Sequence, residues 1–362
     1  MKRVHWLGGT AGGVAAACAV ALGAGVALAG NDMVVLKSRQ SLPRVAVLRD
    51  GCDVIEIDEN DDGKKDRDIP TADVDSITFG DAPVSFRQGD VFLRQGRYED
   101  AIESLEKSLQ DKEVRAFWIQ PHANYLIAEC RRRLAANDPS AYPTARETYA
   151  VALAKAPNGR LAPAAVRGTG LCFLGEGRPA EARAEFEKLT AEKFGAAWAL
   201  RGRALKTRAL AAEDKMADAL ALCDDLAKTS PADLGRDAAD EVLVARTEVL
   251  VKAKKFTEAR ALYQKMADEA GPRDAAAKGQ SYNGIGDCYL AEGKTREALL
   301  AYLRVHVLYF KADDEWARAL YGAARCFIVL KEPARAKELV TVLEKEHPNS
   351  PWTEKAKKEL GG

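Results

Sequence analysis

Three stretches of the chain share one pattern of small and aromatic residues. The pattern is clearest in GDVFLRQGRYEDAIESL (89–105), and it recurs in GLCFLGEGRPAEARAEF (170–186) and GDCYLAEGKTREALLAY (286–302). In each copy a glycine, an aromatic residue, a second glycine and an alanine stand at matching offsets. The second glycine favours a tight turn, so the pattern predicts pairs of helices. A fixed internal repeat restricts the fold more than the length of 362 residues does.

The alanine of this pattern recurs along most of the chain, at intervals of 37 to 44 residues. The alanines are Ala101, Ala145, Ala182, Ala219, Ala259, Ala298 and Ala336. Four residues beyond each lies a residue on the same helical face, namely Leu105, Tyr149, Phe186, Cys223, Tyr263, Tyr302 and Val340. Pro157, Pro231 and Pro348 each follow their alanine by twelve residues, where a proline would end the second helix.

On these residues the chain resembles the tetratricopeptide repeat family over residues 83–350. The resemblance implies an all-α fold, a right-handed helical-hairpin solenoid of about seven repeats. Residues 351–362 would form a charged capping helix at its open end. The second repeat has a longer turn, from Leu134 to Tyr142, and the fourth carries Thr207 in place of the first glycine. Periods near 40 residues leave a different helical-hairpin solenoid open.

The amino terminus, residues 1–29, has the features of an export signal. Lys2 and Arg3 precede a long uncharged run, and Ala27-Leu28-Ala29 offers a cleavage site before Gly30. We therefore expect a periplasmic or secreted protein with no membrane span after cleavage. The alternative is an uncleaved helix that anchors the chain in the inner membrane, although a run rich in Ala and Gly is weakly hydrophobic for that purpose.

Residues 30–82 contain short β-branched runs that predict a small antiparallel β unit. The runs are Val45–Leu48, Val54–Ile57 and Val74–Phe79, and Asp50-Gly51 between the first two is typical of a hairpin turn. Since these runs hold few apolar residues, we expect the unit to pack on the first helices of the array.

An acidic stretch within this segment resembles the start of a calcium loop of the EF-hand or dockerin type. Asp58, Asn60 and Asp62 alternate as oxygen ligands would, Gly63 allows a sharp turn and Asp66 follows. The position of the closing glutamate holds Ile69, however, and no helix is predicted before the loop. A solvated turn rich in Asp and Asn is therefore the favoured interpretation.

Composition and the placing of polar residues argue against several functions. Lys plus Arg and Asp plus Glu both number 54, so the basic excess typical of nucleic-acid binding is absent. The four histidines lack neighbours at metal-ligand spacing, and the sequence contains no phosphate-binding glycine loop or nucleophile elbow. We therefore expect no enzyme activity, cofactor or metal. Four cysteines that share one place in their repeats are expected to be small buried residues: Cys130, Cys172, Cys288 and Cys326.

In the tetratricopeptide family the first helix of each pair lines a concave groove. Carrying those places over by their offset from the small residue of the first helix gives Tyr125 and Glu129, Arg167 and Leu171, Ala204 and Arg208, Val244 and Glu248, Asn283 and Asp287, and Tyr321 and Arg325. Arg132, Arg201 and Arg318 lie close to the same face. We therefore predict a partner-binding face made of Tyr125, Arg167, Arg201, Arg208, Glu248, Asn283, Asp287, Tyr321 and Arg325. Arginine and tyrosine are enriched at protein interfaces.

The signal-like residues 1–29 and the repeat resemblance together lead us to expect an exported, non-enzymatic scaffold that holds a protein or peptide partner in its groove, in cell-envelope assembly. The Pro348–Trp352 run and the lysine-rich helix after it are similar to bacterial envelope repeat proteins of the outer-membrane assembly and cell-division coordinator kinds. Two alternatives stay open: an accessory subunit of an envelope enzyme, and a calcium-responsive adaptor that uses the Asp58–Asp66 loop. Self-association through the groove or the end helix is a further alternative.

Overall fold

The structure, a computed structural model, describes residues 31–360 except 136–137, 230–234, 272–273 and 349. Within this part of the chain a small antiparallel sheet comes first and fifteen α-helices follow. The predicted all-α solenoid with a small amino-terminal sheet is confirmed. The signal-like segment 1–29 and Pro231 lie outside the described residues.

Each repeat contributes a first helix and a second helix. The pairs are α1 (Val84–Arg94) and α2 (Tyr98–Ser108), α3 (Ala116–Leu134) and α4 (Tyr142–Lys155), α5 (Ala162–Gly175) and α6 (Pro179–Lys188), α7 (Gly195–Ala212) and α8 (Met216–Lys228), α9 (Arg236–Lys252) and α10 (Phe256–Glu269), α11 (Ala275–Ala291) and α12 (Thr295–Leu308), and α13 (Asp313–Val329) and α14 (Pro333–Glu346). A further helix, α15 (Pro351–Leu360), follows the last pair. The odd-numbered helices up to α13 are thus the first helices.

The amino-terminal sheet has five strands in the order β4-β3-β2-β1-β5. They are β1 (Asp32–Leu36), β2 (Ser41–Asp50), β3 (Val54–Asp58), β4 (Arg67–Pro70) and β5 (Val74–Thr78). The hairpin predicted at Asp50-Gly51 joins β2 to β3, with Asp50 opposite Ile55. The prediction missed β1 and β4. β4 was missed because it buries one residue, Ile69, and otherwise consists of charged residues and proline.

The sheet packs on the first repeats, as expected for a unit with so little apolar surface. Ile55 and Ile57 are fully buried in a cluster that also contains Trp118 of α3 and Leu105 of α2. Phe79, immediately after β5, stacks on the ring of Trp118 with 4.3 Å between the ring centroids. The sheet and the first helices therefore share one hydrophobic core.

Two charged contacts fix the position of the sheet. The Arg115 guanidinium donates to Asp32 at 2.6 Å and to Asp81 at 2.9 Å. Asp50 accepts from the Arg160 Nε at 2.8 Å, and its other oxygen lies 2.7 Å from the Nε2 of His122. The backbone N–H of Arg160 also donates to the Asp50 carbonyl at 3.0 Å. The β2–β3 hairpin is thereby docked onto the turn between α4 and α5.

The repeats pack through the residues that define the pattern. All seven alanines are at most 1% exposed. In the third repeat a Cβ added at Gly170 would lie 2.3 Å from the Cε1 of Phe186, so the first helix needs a glycine where the ring of the second helix touches it. The cysteines at the shared position of the first helices are likewise fully buried and form no disulfide. The pattern is therefore a packing signature, as predicted.

Six of the turns between first and second helices hold one residue in the left-handed region. Three of these residues are the glycines of the repeat pattern, at positions 96, 177 and 293. The other three, Asp214, Lys254 and Lys331, have φ of 59°, 59° and 62°. Since non-glycine residues adopt this conformation at a cost, the fourth, fifth and seventh repeats have strained turns.

A recurring ion pair joins neighbouring repeats. An arginine follows the pattern alanine in three of the second helices, and it pairs with the glutamate at the end of the first helix of the next repeat. The pairs are Arg146–Glu176 at 2.5 Å, Arg183–Glu213 at 2.7 Å and Arg260–Glu292 at 2.8 Å. Each glutamate also pairs with the basic residue two positions later, which is Arg178, Lys215 or Lys294. These triads hold successive repeats in register at three of the junctions.

The last helix, α15, covers the exposed end of the seventh repeat. Ala356 is fully buried in a cluster with Leu320 of α13 and Leu343 of α14. Trp352 packs beside Tyr321, with 5.6 Å between the ring centroids. The side chain of Thr353 donates to the backbone carbonyl of His347 at 2.6 Å. Among the described helices none is both long and apolar enough to cross a membrane.

Candidate protein-binding face

The first helices form the inner face of the array. Successive first helices approach one another closely, α3 with α5, α5 with α7, α7 with α9 and α11 with α13, whereas successive second helices lie further apart. An array of this kind curves toward its first helices, so their free side is concave. In α3 the residues at heptad-like spacing show how this face is built: Trp118 and His122 contact the sheet, and Tyr125, Glu129 and Arg132 continue the same stripe.

The centre of the inner face is a charge cluster around Glu241 of α9. Arg167 of α5 binds this carboxylate with two hydrogen bonds, at 2.8 and 3.0 Å. Arg201 of α7 donates to the same carboxylate at 3.1 Å and stacks on the ring of Trp198 at 4.0 Å. The Arg167–Glu241 contact spans two repeats and passes over α7. The array is therefore strongly curved here, and one carboxylate serves two guanidinium groups.

Burial and charge act in opposite directions on Glu241. Its side chain is only 8% exposed, and burial by itself would raise the pKa of a carboxyl group. The hydrogen bonds and charges of Arg167 and Arg201 outweigh burial, so the pKa of Glu241 lies below its usual value. The carboxylate is therefore ionised at neutral pH, and the cluster carries a net positive charge.

A second cluster lies beside the first, on α3 and α4. Glu129 pairs with Arg132 at 2.8 Å and accepts a hydrogen bond from the Tyr149 hydroxyl. Burial raises the pKa of Tyr125 to about 12, and the nearby charge of Glu129 contributes to that shift. The charges of Arg167, Arg132 and Arg201 act on the pKa of Tyr125 in the opposite direction. Two predicted residues, Arg167 and Arg201, are brought together on the Glu241 carboxylate.

Arg208 and Glu248 form the next part of the face. The Arg208 Nε lies 2.5 Å from a Glu248 carboxylate oxygen. The Glu248 side chain is 43% exposed, and partial desolvation raises the pKa of its carboxyl group. This part of the face is therefore partly open to a partner.

The carboxy-terminal part of the face holds the remaining predicted residues. Asp287 pairs with Arg318 and accepts a hydrogen bond from the Tyr302 hydroxyl at 2.5 Å. The Arg325 guanidinium lies 5.5 Å from the centre of the Tyr321 ring, and the Tyr321 hydroxyl donates to a carboxylate of α15. Asn283 differs from the others, because it is fully buried and its amide donates to Glu315. Asn283 therefore joins α11 to α13 and presents no surface to a partner.

The residue that sequence reasoning missed is Glu241. Its position relative to Glu248 contains a signal, because the two are seven residues apart, as are Arg201 and Arg208 on the preceding first helix. Residues at this spacing lie on one stripe of a helix. A matched pair of acidic and basic stripes on neighbouring first helices predicts ion pairs, but not which arginine reaches which glutamate.

The acidic loop between β3 and β4 is held by its own backbone. The Asp58 carboxylate accepts from the N–H groups of Asn60, Asp61 and Gly63 at 2.7 to 3.0 Å. Asp66 accepts from the N–H groups of Glu59 and Asn60. Residues 31–360, where described, contain no group of three or more His, Cys, Asp or Glu residues arranged to hold a metal ion. The geometry observed is that of a turn stabilised by side-chain caps.

Fold and inner face together define a helical-repeat solenoid of paired antiparallel helices. A family model described as tetratricopeptide repeat matches residues 86–160 and 140–199, and a second with the same description matches residues 318–350. Residues 86–199 and 318–350 are therefore tetratricopeptide repeats. No curated protein matches its sequence.

Several solved structures are similar to this chain at low identity. A tetratricopeptide repeat protein from Parabacteroides merdae is 15% identical, with a TM-score of 0.47, and the match covers 77% of this chain and 98% of that one. The apo form of the quorum sensor NprR from B. thuringiensis is 16% identical, with a TM-score of 0.44 and coverages of 76% and 81%. PilF of Pseudomonas aeruginosa is 15% identical, with a TM-score of 0.34 and coverages of 76% and 96%.

Proposed function

We propose that this chain is an exported scaffold that holds a segment of a partner protein along its inner face and catalyses no reaction itself. The observation that carries the proposal is the Arg167–Glu241–Arg201 cluster. Charged groups removed from water destabilise a fold unless they are paired, and apolar residues of similar size are often at least as stable in their place. A curved helical array could pack without such a cluster, so its position on the concave face favours a role in binding.

The chemistry of this cluster indicates the kind of group that it would bind. Glu241 supplies one negative charge to the two guanidinium groups of Arg167 and Arg201. Guanidinium groups bind carboxylates through paired hydrogen bonds, and they do so most strongly where water is partly excluded. We therefore propose that the partner segment places an acidic side chain or a terminal carboxylate at this point. Arg325 and Tyr321 would contact the segment further along the face.

The position of the proposed partner is testable by site-specific photo-crosslinking in intact cells. A photo-reactive amino acid is placed at Glu248 or at Arg325, which are exposed on the inner face, and at Val151, which is 43% exposed on α4. We expect the same partner to be captured from the first two positions and not from the third. Capture of one set of proteins from all three positions would contradict the proposal, as would capture from Val151 alone.

A matched pair of variants tests the proposed carboxylate. Arg201→Gln removes one guanidinium from the central cluster, and Arg203→Gln removes an arginine that pairs with Asp225 of α8 instead. We expect crosslinking from Glu248 to fall in the first variant and to stay unchanged in the second. Equal crosslinking in both would mean that the partner does not use the cluster.

The proposed export rests on the sequence of residues 1–29. Cell fractionation followed by mass spectrometry of the intact chain tests it. We expect a periplasmic or secreted form that begins at Gly30. A full-length cytoplasmic form would contradict export, and a full-length membrane form would support the uncleaved anchor. Either result would leave the crosslinking test of the inner face valid.

A further inference from the structure

We infer that the outer face of α12 docks a second copy of this chain. This interface goes beyond the proposed function, which concerns the inner face. α12 exposes Leu300, Val307 and Leu308 at 69%, 64% and 58%, and Phe310 just beyond it is 50% exposed. Among the other described second helices, Val151 of α4 is the one large hydrophobic residue exposed in this way. Such a concentration of exposed apolar side chains is typical of an interaction surface.

An open groove of about 510 Å³ lies beside this apolar stripe. Its wall on α11 consists of Tyr282, Ile285 and Tyr289, and α12 contributes Leu300 and Ala301. The Arg304 guanidinium lies over the Tyr282 ring at 4.7 Å and thereby borders the groove with a positive charge. The groove can receive an aliphatic side chain between aromatic rings, and its rim can pair with a carboxylate.

The charges on α12 differ from those at the same places in other repeats. Glu297, Leu300 and Arg304 lie on one stripe of α12, because they are three and seven residues apart. The equivalent residues are Glu181, Ala184 and Lys188 in α6 and Glu258, Ala261 and Lys265 in α10. The central residue of the stripe is thus alanine in α6 and α10, whereas in α12 it is the larger and exposed Leu300.

In the other two helices these charges are neutralised within their own repeat. Glu181 pairs with Arg178 at 3.0 Å and Lys188 with Glu185 at 2.5 Å. Glu258 pairs with Lys255 at 3.2 Å and Lys265 with Glu269 at 3.6 Å. Within the described residues neither Glu297 nor Arg304 has an ion-pair partner. The charges of Glu297 and Arg304 are therefore available to a second molecule.

A second copy of the chain fits this arrangement because the stripe is self-complementary. A two-fold axis near the middle of the stripe sets α12 antiparallel to the α12 of its copy. Glu297 of each molecule then faces Arg304 of the other, and Leu300 lies between the two ion pairs, against the groove. The contact occurs twice by symmetry, so the charge pattern of one helix satisfies that of its copy.

Charge reversal followed by mixing tests this interface on the full chain. Sedimentation equilibrium is expected to show a dimer for the native chain and at least about a tenfold weaker dimer for Glu297→Arg and for Arg304→Glu, because each variant turns two attractions into two repulsions. The double variant is expected to dimerise again. An equimolar mixture of the two single variants is expected to form a heterodimer, because each supplies the charge that the other lacks.

The matched control reverses the equivalent charges of α6, in Glu181→Arg and Lys188→Glu. These variants are expected to dimerise like the native chain. Recovery of the dimer on mixing also shows that the α12 variants are folded. The inference is overturned if the native chain is monomeric up to roughly 100 µM, if single α12 variants dimerise normally, or if mixing restores nothing. A monomeric native chain would assign the apolar stripe to a different protein.

Discussion

The left-handed turn residues give a prediction whose sign can be worked out from backbone geometry. Lys331 lies at φ 62° in the turn between α13 and α14, where the third repeat has Gly177 at φ 71°. Replacing Lys331 by glycine removes the strain of a left-handed L-residue, and replacing Gly177 by alanine introduces it. We therefore expect Lys331→Gly to stabilise the protein and Gly177→Ala to destabilise it.

Two opposing terms set the magnitude. The left-handed conformation costs an L-residue about 1–2 kcal/mol, whereas glycine gains about 0.4–1 kcal/mol of extra freedom in the unfolded chain. Lys331→Gly should therefore raise the free energy of unfolding by about 0.5–1 kcal/mol. Gly177→Ala should lower it by about the same amount, since a Cβ at this position would have no atom within 4 Å and adds no steric term.

Equilibrium urea unfolding followed by circular dichroism measures both variants. The matched control is Lys337→Gly, the same substitution six residues later on an exposed site within α14. It should lose about 1 kcal/mol, because glycine is a poor helix former. A destabilised Lys331→Gly variant, or equal shifts for Lys331→Gly and Lys337→Gly, would refute the reasoning. An unchanged midpoint for Gly177→Ala would do so as well.

Three further predictions concern buried polar groups. Glu241→Gln should lower the free energy of unfolding by about 2 kcal/mol, because two partly buried guanidinium groups lose their counter-ion; a charge-conserving Glu241→Asp should lose less. Burial lowers the pKa of the His122 imidazole in the folded chain. Below about pH 6.5 the unfolded chain therefore binds a proton at His122 that the folded chain does not bind. The free energy of unfolding should consequently fall as the pH drops below that value. The urea midpoint at pH 7.5 and 5.5 tests this, and His122→Gln should flatten the difference. Under native conditions at pH 8 a thiol reagent should label the partly exposed Cys52 before the buried thiols of the first helices. Burial raises the pKa of those thiols to about 12 in Cys130 and Cys172 and to about 11 in Cys288 and Cys326. Mass spectrometry of the labelled peptides gives the order of labelling.

The repeat pattern predicted the helices because the interactions that form them are local. Ala182 and Phe186 are four residues apart on one helix, and their burial follows from helical periodicity whatever the neighbouring repeats do. The same reasoning located the β2–β3 hairpin from Asp50-Gly51. It failed for β4, whose pairing with β3 depends on a neighbour rather than on its own charged sequence.

The inner face was predicted in part. The offset from the small residue of each first helix singled out Arg167 and Arg208, and each forms an ion pair with a glutamate of α9. It also singled out Asn283, although Glu315 of the next first helix covers that amide. The difference arises because an offset fixes the direction of a side chain from its own helix, whereas exposure depends on the helices beside it.

The sequence by itself determined the paired helices, their number within the repeat array, the small buried residues between them and the polar side of each first helix. These features depend on side chains at most a few turns apart, so they are written in local spacing. The tertiary structure decided the curvature, and with it the contact between Arg167 and Glu241 across α7. It also decided that Lys294 pairs with Glu292 and leaves Glu297 exposed, whereas the equivalent Arg178 and Lys255 pair with Glu181 and Glu258.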